Sequence, residues 1–261
     1  MRGLRPARQR SWLSLADTFI RTVRATSTVA ELATLMDGVC HELGFRHYAL
    51  IHHDDLRQSR PDRVDIRVYP PGAVERLIGQ SGFRRDPIIR GCVFSDSAFL
   101  WSDLHRIIRL DRQDRACFEH GLREGLNEGI TVPHVLLGEC MGSCTFAGTR
   151  RPQLAERYLG PAQMIGVFAF QAARRLLGHS AALCDTRLRL HPRPRDCVVL
   201  AGRGKSNKEI ARQLGLTPRT VDGYLTEARR IFGAHDRTEL VISAVLAGEV
   251  GLHELKMDQP E

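Results

Sequence analysis

Apolar residues recur at helical spacing in two short stretches late in the chain, separated by a single turn. The first stretch puts three of them on one face: Ile210, Ala211 and Leu214. The second does the same with four: Val221, Leu225, Ala228 and Phe232. Each spacing predicts an amphipathic helix, and Gly215 ends the first one because glycine adopts positive φ at little cost. Thr217 is the predicted N-cap of the second helix, and Pro218 suits its first position.

The outer face of this second helix is polar and cationic, with five such residues: Arg219, Thr220, Tyr224, Arg229 and Arg230. Such a face suits contacts to bases and phosphates; the alternative is an ordinary helical hairpin with a solvated basic face. The agreement of caps, turn glycine and face polarity favours DNA binding. The predicted DNA contacts are Lys205, Ser206, Asn207, Lys208, Thr217, Arg219, Thr220, Val221, Tyr224 and Arg229.

Earlier in the chain, helical and alternating apolar patterns follow one another. Helical spacing predicts two helices within 12–45, the second capped by Thr28 and ended by Gly44, and further helices at 72–82, 110–125 and 153–177. Alternation predicts strands at 45–52, 64–68, 130–133 and 140–147. This mixture predicts the fold class α+β: an N-terminal α/β/α sandwich with an antiparallel sheet, then a C-terminal all-α, four-helix helix-turn-helix domain.

A polar, Arg-rich stretch at 183–195 marks the boundary between these two domains. The predicted division of the chain is a basic tail 1–11, the α/β domain 12–178, a linker 179–189, the helix-turn-helix domain 190–252 and a C-terminal tail 253–261.

Composition narrows the partners. The formal charge of +8 and the pI near 9.5 fit a polyanion. Seven cysteines, an odd number without disulfide or zinc spacing, indicate a reducing compartment. No stretch approaches the roughly 20 apolar residues of a membrane span, so we expect a cytoplasmic protein that binds no membrane, metal or cofactor.

Two groups of reactive side chains are interpreted as structural. His52, His53, Asp54 and Asp55 are expected in a solvated loop, since no matching ligand cluster accompanies them. Cys117 and His120 are expected in the core, since no third group completes a nucleophilic site. With no Walker loop, dinucleotide turn or nucleophile elbow either, the sequence predicts no enzyme.

The C-terminal domain resembles the DNA-binding domain of LuxR-type transcriptional regulators. The matching motifs are Pro192-Arg193, Gly204-Lys205-Ser206, Asn207-Lys208-Glu209-Ile210-Ala211, Arg219-Thr220-Val221 and Asp236-Arg237-Thr238-Glu239-Leu240. The resemblance implies a homodimer on a palindromic double-stranded operator, with RNA polymerase as a candidate partner. It also implies dimerisation through the fourth helix, at about 237–247, by Leu240, Val241, Ala244 and Val245.

The α/β domain resembles the autoinducer-binding domain of the quorum-sensing branch of that family. Tyr69-Pro70, Asp86-Pro87 and Trp101 stand at the family's intervals of 17 and 15 residues. The resemblance implies an acyl-homoserine lactone or an analogue as the ligand. Asp86 would accept its amide N–H, Tyr69 and Thr145 would serve the acyl carbonyl, and Trp101 would wall the lactone. Core packing for Tyr69 and Trp101, and an Asp-Pro turn or a helix cap for Asp86, are the alternatives.

The ligand domain departs from the family at two positions. Ala73 stands where the family usually has a Trp that donates to the lactone carbonyl, and Leu77 replaces the next aromatic residue. An unpaired lactone carbonyl would cost about 1–3 kcal/mol. The alternative hypothesis is therefore a LuxR-type orphan regulator that responds to no lactone and uses this domain for dimerisation or protein contact.

The DNA-binding domain departs from the family as well. His191 and Pro194 replace the usual Thr or Ser cap with Glu three residues on, which predicts a frayed first helix. Asp222 and Glu227 replace a common Lys and Asn, and carboxylates repel phosphate. We therefore expect weaker sequence-independent DNA binding than is normal for the family.

Overall fold

The computed structural model describes residues 12–55, 58, 60–78, 85–178 and 189–256. The chain divides into two compact units, Met1–Ser180 and Ala181–Glu261, and the division falls inside the predicted linker. Each unit has its own hydrophobic core. The predicted α+β fold, a sandwich with an antiparallel sheet and a separate helical domain, is confirmed.

A five-stranded sheet forms the centre of the first unit. Its strands are β1 (Phe45–His52), β2 (Asp65–Val68), β3 (Phe99–Leu100), β4 (Gly129–His134) and β5 (Gly142–Thr149). They lie in the order β2-β1-β5-β4-β3, and every neighbouring pair is antiparallel. The sequence analysis missed β3, because two residues are too short to show alternation.

Three long helices cover one face of the sheet: α1 (Trp12–Arg24), α2 (Val29–Glu42) and α7 (Leu159–Leu176). Thr28 caps α2 as predicted, accepting from the Glu31 N–H at 3.2 Å, and Gly44 follows it with φ 79°. The largest fully buried side chains of this core include Phe45, Phe146, Phe170, Leu32, Met36 and Leu50. A 3₁₀ helix over Pro152–Tyr158 forms the start of the predicted helix 153–177.

Four shorter described helices lie on the opposite face of the sheet: α3 (Pro71–Ile78), α4 (Pro87–Val93), α5 (Leu104–Ile107) and α6 (Arg112–Arg123). The predicted helix 72–82 corresponds to α3, and its last four residues lie outside the described part of the chain. Asp86 caps α4 and Pro87 opens it, so the helix-cap alternative for Asp86 holds. Proline suits the first position of a helix, because its missing N–H would have no partner there.

Four helices form the second unit: α8 (Pro192–Gly202), α9 (Asn207–Leu214), α10 (Pro218–Phe232) and α11 (Arg237–Leu246). Its core includes Cys197, Val198, Ile210, Val221, Leu225, Ala228, Leu240 and Ala244. A 3₁₀ turn over Leu252–Leu255 belongs to this unit, because Leu255 packs on the core and Glu254 pairs with Arg195 at 2.7 Å. The packed structure thus extends past the predicted domain end at 252.

The start of α8 lacks a side-chain cap within the described part of the chain, as its sequence suggested. The contacts nevertheless oppose the expected fraying. Glu249 accepts the Leu190 N–H through its carboxylate and Arg195 Nε through its carbonyl, both at 2.9 Å. A residue distant in sequence therefore anchors the segment before α8 and the first turn of this helix, without capping it.

Candidate ligand cavity and nucleic-acid interface

A cavity of about 1360 Å³ lies in the first unit, against the sheet face that α1, α2 and α7 leave open. All six residues predicted to bind ligand line it: Tyr69, Ala73, Leu77, Asp86, Trp101 and Thr145. Thr145 lies on β5, and Ala73 and Leu77 lie on α3. The other three, Tyr69, Asp86 and Trp101, lie in the segments that precede α3, α4 and α5, so the fold brings together residues that are far apart in sequence. Part of the chain between Leu77 and Arg85, both lining residues, lies outside the described residues.

Asp86 has two uses for one carboxylate. Its Oδ1 accepts the N–H groups of Ile88 and Ile89, at 2.9 and 3.1 Å, and so caps α4. No donor to Oδ2 occurs among the described residues. Burial raises the pKa of Asp86 above its usual value, while the two N–H groups oppose the shift. Asp86 can therefore cap α4 through one oxygen and still offer the other to a ligand, so the helix-cap interpretation and the ligand interpretation are compatible.

Tyr69 lies beside this carboxylate. Burial first, and then the charge of Asp86, raise the pKa of Tyr69 far above its usual value, so its phenol remains a neutral donor. Tyr69 and Asp86 both keep some accessible surface, since part of each faces the cavity rather than bulk water. A neutral phenol donor and a carboxyl acceptor thus stand next to each other in a partly enclosed space.

Trp101, Thr131 and Thr145 form a chain of hydrogen bonds. Trp101 Nε1 donates to Thr131 Oγ1 at 3.0 Å, and Thr131 Oγ1 lies 3.0 Å from Thr145 Oγ1. Because Thr131 accepts from the indole, its own proton is available to Thr145, whose hydroxyl can then donate into the cavity. Gly129 permits this packing, since a Cβ there would lie 2.5 Å from Trp101 Cε2.

Helix α3 closes the cavity opposite the sheet and carries Ala73 and Leu77. Arg76 of the same helix makes a bidentate ion pair with Glu124, just after α6, at 2.7 and 2.5 Å. Gly72 faces Glu124 so closely that a Cβ would collide with the carboxylate. This ion pair joins α3 to the end of α6.

His53 and Ser143 also line the cavity, and the sequence analysis did not single them out for it. His53 Nε2 lies 2.9 Å from Ser143 Oγ. The predicted solvated loop at 52–55 is wrong at its start, because His52 ends β1 with 3% of its surface exposed and accepts the Val64 N–H. The continuous apolar run before His52 was a usable signal, since the same strand simply continues.

The core interpretation of Cys117 and His120 is also wrong. Cys117 is half-buried and His120 is exposed, and both line the cavity from α6. Among the described residues no group of three or more His, Cys, Asp or Glu side chains could hold a metal ion.

The helix-turn-helix has the predicted local structure. Ser206 and Glu209 form a capping box at the start of α9, and Gly215 ends α9 with φ 66°. Thr217 Oγ1 then accepts the Thr220 N–H at 3.1 Å and caps α10, which begins at Pro218. These local signals fix both helix boundaries.

The face of α10 that is open to solvent differs in part from the prediction. Exposed residues are Pro218, Arg219, Asp222, Gly223, Thr226, Glu227 and Arg230. Val221 is fully buried and cannot contact DNA, which corrects the prediction: it lies on the apolar stripe that anchors the helix. Tyr224 lies beside that stripe, packs partly on the core and keeps part of its surface open to solvent.

The residues before and at the start of α9 divide into two kinds. Lys208 is exposed, whereas the Ser206 hydroxyl accepts the Glu209 N–H and caps α9. Asn207 is braced within the unit: its Oδ1 accepts from Arg237 Nη1 at 3.0 Å, and its Nδ2 lies 3.4 Å from Asp222 Oδ1. Arg237 also donates to the Lys205 carbonyl. Asn207 therefore positions Asp222 rather than standing free for DNA.

The predicted dimerisation residues face mostly inward. Leu240, Ala244 and Val245 are buried in the core of the second unit, and Val241 packs beside Gly202. The apolar residues that α11 exposes are Ile242 and Leu246, at 53% and 52%. The resemblance implied dimerisation through this helix, but most of the residues named for it belong to its buried stripe.

Comparison with known proteins supplies the class. A family model described as "Autoinducer binding domain" matches residues 28–176, and one described as "Bacterial regulatory proteins, luxR family" matches residues 189–244. The chain belongs to the LuxR family of transcriptional regulators with an autoinducer-binding domain. It is a DNA-binding transcriptional regulator and not an enzyme.

Individual relatives are distant. The quorum sensing-dependent transcriptional regulator RpaR of Rhodopseudomonas palustris is 25% identical over 92% of this chain and 97% of that protein. The putative regulator y4qH of Sinorhizobium fredii is 26% identical over 77% of this chain, and the match spans only 61% of that relative.

Solved structures share the fold. Escherichia coli SdiA aligns over 91% of this chain and 98% of its own, with a TM-score of 0.56 at 18% identity. SdiA in complex with octanoyl-rac-glycerol aligns over 95% and 97%, with a TM-score of 0.55 at 19% identity. Among the described helices, none is long and apolar enough to cross a membrane.

Proposed function

We propose that this regulator is a cytoplasmic homodimer that binds a palindromic operator under the control of an acyl-homoserine lactone or a related acylated signal. One observation carries the proposal: Tyr69, Asp86 and Thr145 line a single cavity with Trp101, although 76 residues separate the first from the last. A large, mainly apolar cavity with a few placed polar groups suits a small amphiphile.

The polar groups match the head of such a ligand. Asp86 Oδ2 would accept the amide N–H in a charge-assisted bond. The Tyr69 phenol and the Thr145 hydroxyl would donate to the acyl carbonyl, and Trp101 would wall the ring, because Thr131 already takes its indole N–H. Ala73 supplies no donor for a lactone carbonyl, so the head group need not be a lactone. SdiA, a protein of this fold, has been solved in complex with octanoyl-rac-glycerol, an acyl ligand whose head group is glycerol and not a lactone.

The second unit would read DNA through α10 placed in the major groove. Arg219, Thr226 and Arg230 lie on its open face, and Lys208 of α9 would contact phosphate. Ile242 and Leu246, one turn apart on α11, form the exposed apolar strip through which two copies would pair. The bound dimer would then act on RNA polymerase.

A titration tests the ligand half of the proposal. The purified full-length protein is mixed with octanoyl-homoserine lactone, with octanoylglycerol, or with solvent alone, and its unfolding midpoint is followed. A ligand at 100 times its Kd stabilises the folded protein by about 2.7 kcal/mol, which raises the midpoint by several degrees. Asp86→Asn keeps the helix cap and should lose most of the shift.

The orphan-regulator hypothesis predicts the opposite outcome. No shift with either ligand, and no small molecule in an organic extract of protein that still binds operator DNA, would reject ligand control. Ala73 and Leu77 favour that hypothesis, since they remove the aromatic donors on which the family's lactone binding depends.

A further inference from the structure

The floor of the cavity is a ladder of side chains on one face of the sheet. Across β1 and β5, Ala49 pairs with Thr145 and Ile51 pairs with Ser143. Alternate residues of a strand share a face, so Thr145 and Ser143 project into the cavity at levels about 7 Å apart. The Tyr69 ring lies tilted against the His47 ring, with 6.0 Å between their centroids, on the side of Thr145 away from Ser143. Ser143 therefore lies at the end of the floor far from Tyr69.

A polar pair occupies that far end, where an aliphatic tail would need none. His53 Nε2 and Ser143 Oγ are 2.9 Å apart. Burial and the neighbouring His52 lower the pKa of His53 to about 3, so the imidazole is neutral at pH 7. Within the described part of the chain, His53 Nδ1 is buried without a partner. A bare ring nitrogen there is a smaller loss than an N–H without an acceptor.

This comparison places the proton on Nε2, which donates to Ser143 Oγ. The Ser143 hydroxyl then keeps its own proton to donate. Inside the protein it interacts with the Cys92 thiol, whose pKa burial raises to about 12 and which stays neutral. A thiol is a weak acceptor, so an oxygen atom of a ligand would take this hydrogen bond more favourably.

We propose that the cavity selects ligands whose acyl group carries an oxygen acceptor, a carbonyl or a hydroxyl, in its distal half, where it accepts from Ser143. This inference rests on the proposed function, because it takes the polar head to lie at Tyr69 and Asp86 and the acyl carbonyl at Thr145. From that carbonyl, Ser143 is one level further on. An extended chain with C–C bonds of about 1.5 Å reaches it at roughly the sixth or seventh acyl carbon.

Three matched ligands test the position of the oxygen: octanoyl-homoserine lactone and its 3-oxo and 7-oxo counterparts. Each is titrated calorimetrically into the full-length protein and into Ser143→Ala. We expect the 7-oxo ligand to bind the native protein about 3–10-fold more tightly than the unsubstituted one, the size of one neutral hydrogen bond. In the alanine variant the ratio of the affinities for the 7-oxo and the unsubstituted ligand should fall to about 1, whatever the variant's absolute affinity for either.

Operator binding and the unfolding midpoint of the variant show that it is folded. If it is not, Ser143→Cys keeps the volume and replaces the hydroxyl by a weak donor, and the same loss is expected. Equal affinity of the native protein for octanoyl and 7-oxo-octanoyl lactones would overturn the inference, as would a 7-oxo preference that survives the substitution. Failure of all three ligands to bind would reject the proposed function, and this inference with it.

Discussion

In the second unit the residues proposed to face DNA come from one run of about two dozen positions, and each is placed by a cap, a turn glycine or a helical stripe within that run. In the first unit the residues that line the cavity come from strands, helices and loops spread between Ala49 and Thr145. Local rules therefore place the DNA-facing residues, whereas only the closed tertiary fold places the ligand-facing ones. Substitutions should show the same contrast.

The largest expected effect concerns the two faces of α11. Leu240→Ala removes a fully buried side chain from the core of the second unit and should lower its free energy of unfolding by about 2–5 kcal/mol. Ile242→Ala, on the exposed face, should change it by less than about 0.5 kcal/mol. Urea unfolding followed by amide exchange within residues 192–246 measures both. Similar losses for the two variants would mean that α11 is rotated from the orientation described.

The exposed face of α11 should instead affect assembly. Replacing Ile242 and Leu246 by Asp puts two charges in the proposed subunit contact and should shift the sedimentation coefficient from dimer to monomer at micromolar concentration. The unfolding free energy of the second unit should stay near that of the native protein. Thr238→Asp, at an exposed position on the same helix, controls for charge alone. An unchanged dimer would place the interface elsewhere.

Asp86 is the position at which the first unit should respond most. Asp86→Asn removes the charge-assisted bond to the ligand, worth about 1.5–3 kcal/mol, and so weakens acyl-homoserine lactone binding by about 10–150-fold. The amide oxygen can still cap α4, so stability should hold, while Asp86→Ala should lose about 1 kcal/mol in addition. Calorimetric titration and thermal unfolding separate the two effects. Equal ligand binding by Asp and Asn would leave Asp86 as a cap only.

The pH dependence of ligand binding should identify the same carboxylate. Burial raises the pKa of Asp86 in the folded protein, so its contribution to stability is full below the unfolded pKa of about 4 and is lost as pH rises through the folded value. Ligand affinity changes in the opposite direction, because only the carboxylate accepts the amide N–H. We expect the Kd to fall as pH increases through that window and to stay level in Asp86→Asn. A native protein with no such dependence would contradict the assignment.

The sequence predicted the helices of the second unit better than the cavity of the first, because local signals place the former and the tertiary fold places the latter. The boundaries of α9 and α10 follow from Ser206, Gly215 and Thr217, all within the helices or next to them. The family spacing pointed to Tyr69, Asp86 and Trp101, which line one cavity, but it did not reveal the shape of that cavity.

Long-range pairing explains what the sequence left out. Ser143 and His53 meet only because β1 and β5 pair in a particular register. Likewise, which face of α11 is buried depends on its packing against α8 and α10. Periodicity identified that helix as apolar but could not separate its inner stripe from its exposed pair.

The smallest expected effect lies on the flank of α10. Asp222→Lys replaces an exposed carboxylate, held only by a 3.4 Å contact from Asn207, with a cation beside the DNA-facing residues. The slope of log Kobs against log salt should become steeper by about 0.9 for each phosphate gained, or about 1.8 for a dimer. Asp222→Asn, which removes the charge without adding one, should increase non-specific affinity and leave the slope nearly unchanged.

Glu227→Lys makes the same charge reversal about 140° further around the helix. If both lysine variants steepen the slope equally, the effect depends on the net charge of α10 and not on the position of the charge. If neither does, the two carboxylates do not approach phosphate, and the expected weakness of sequence-independent binding fails with them.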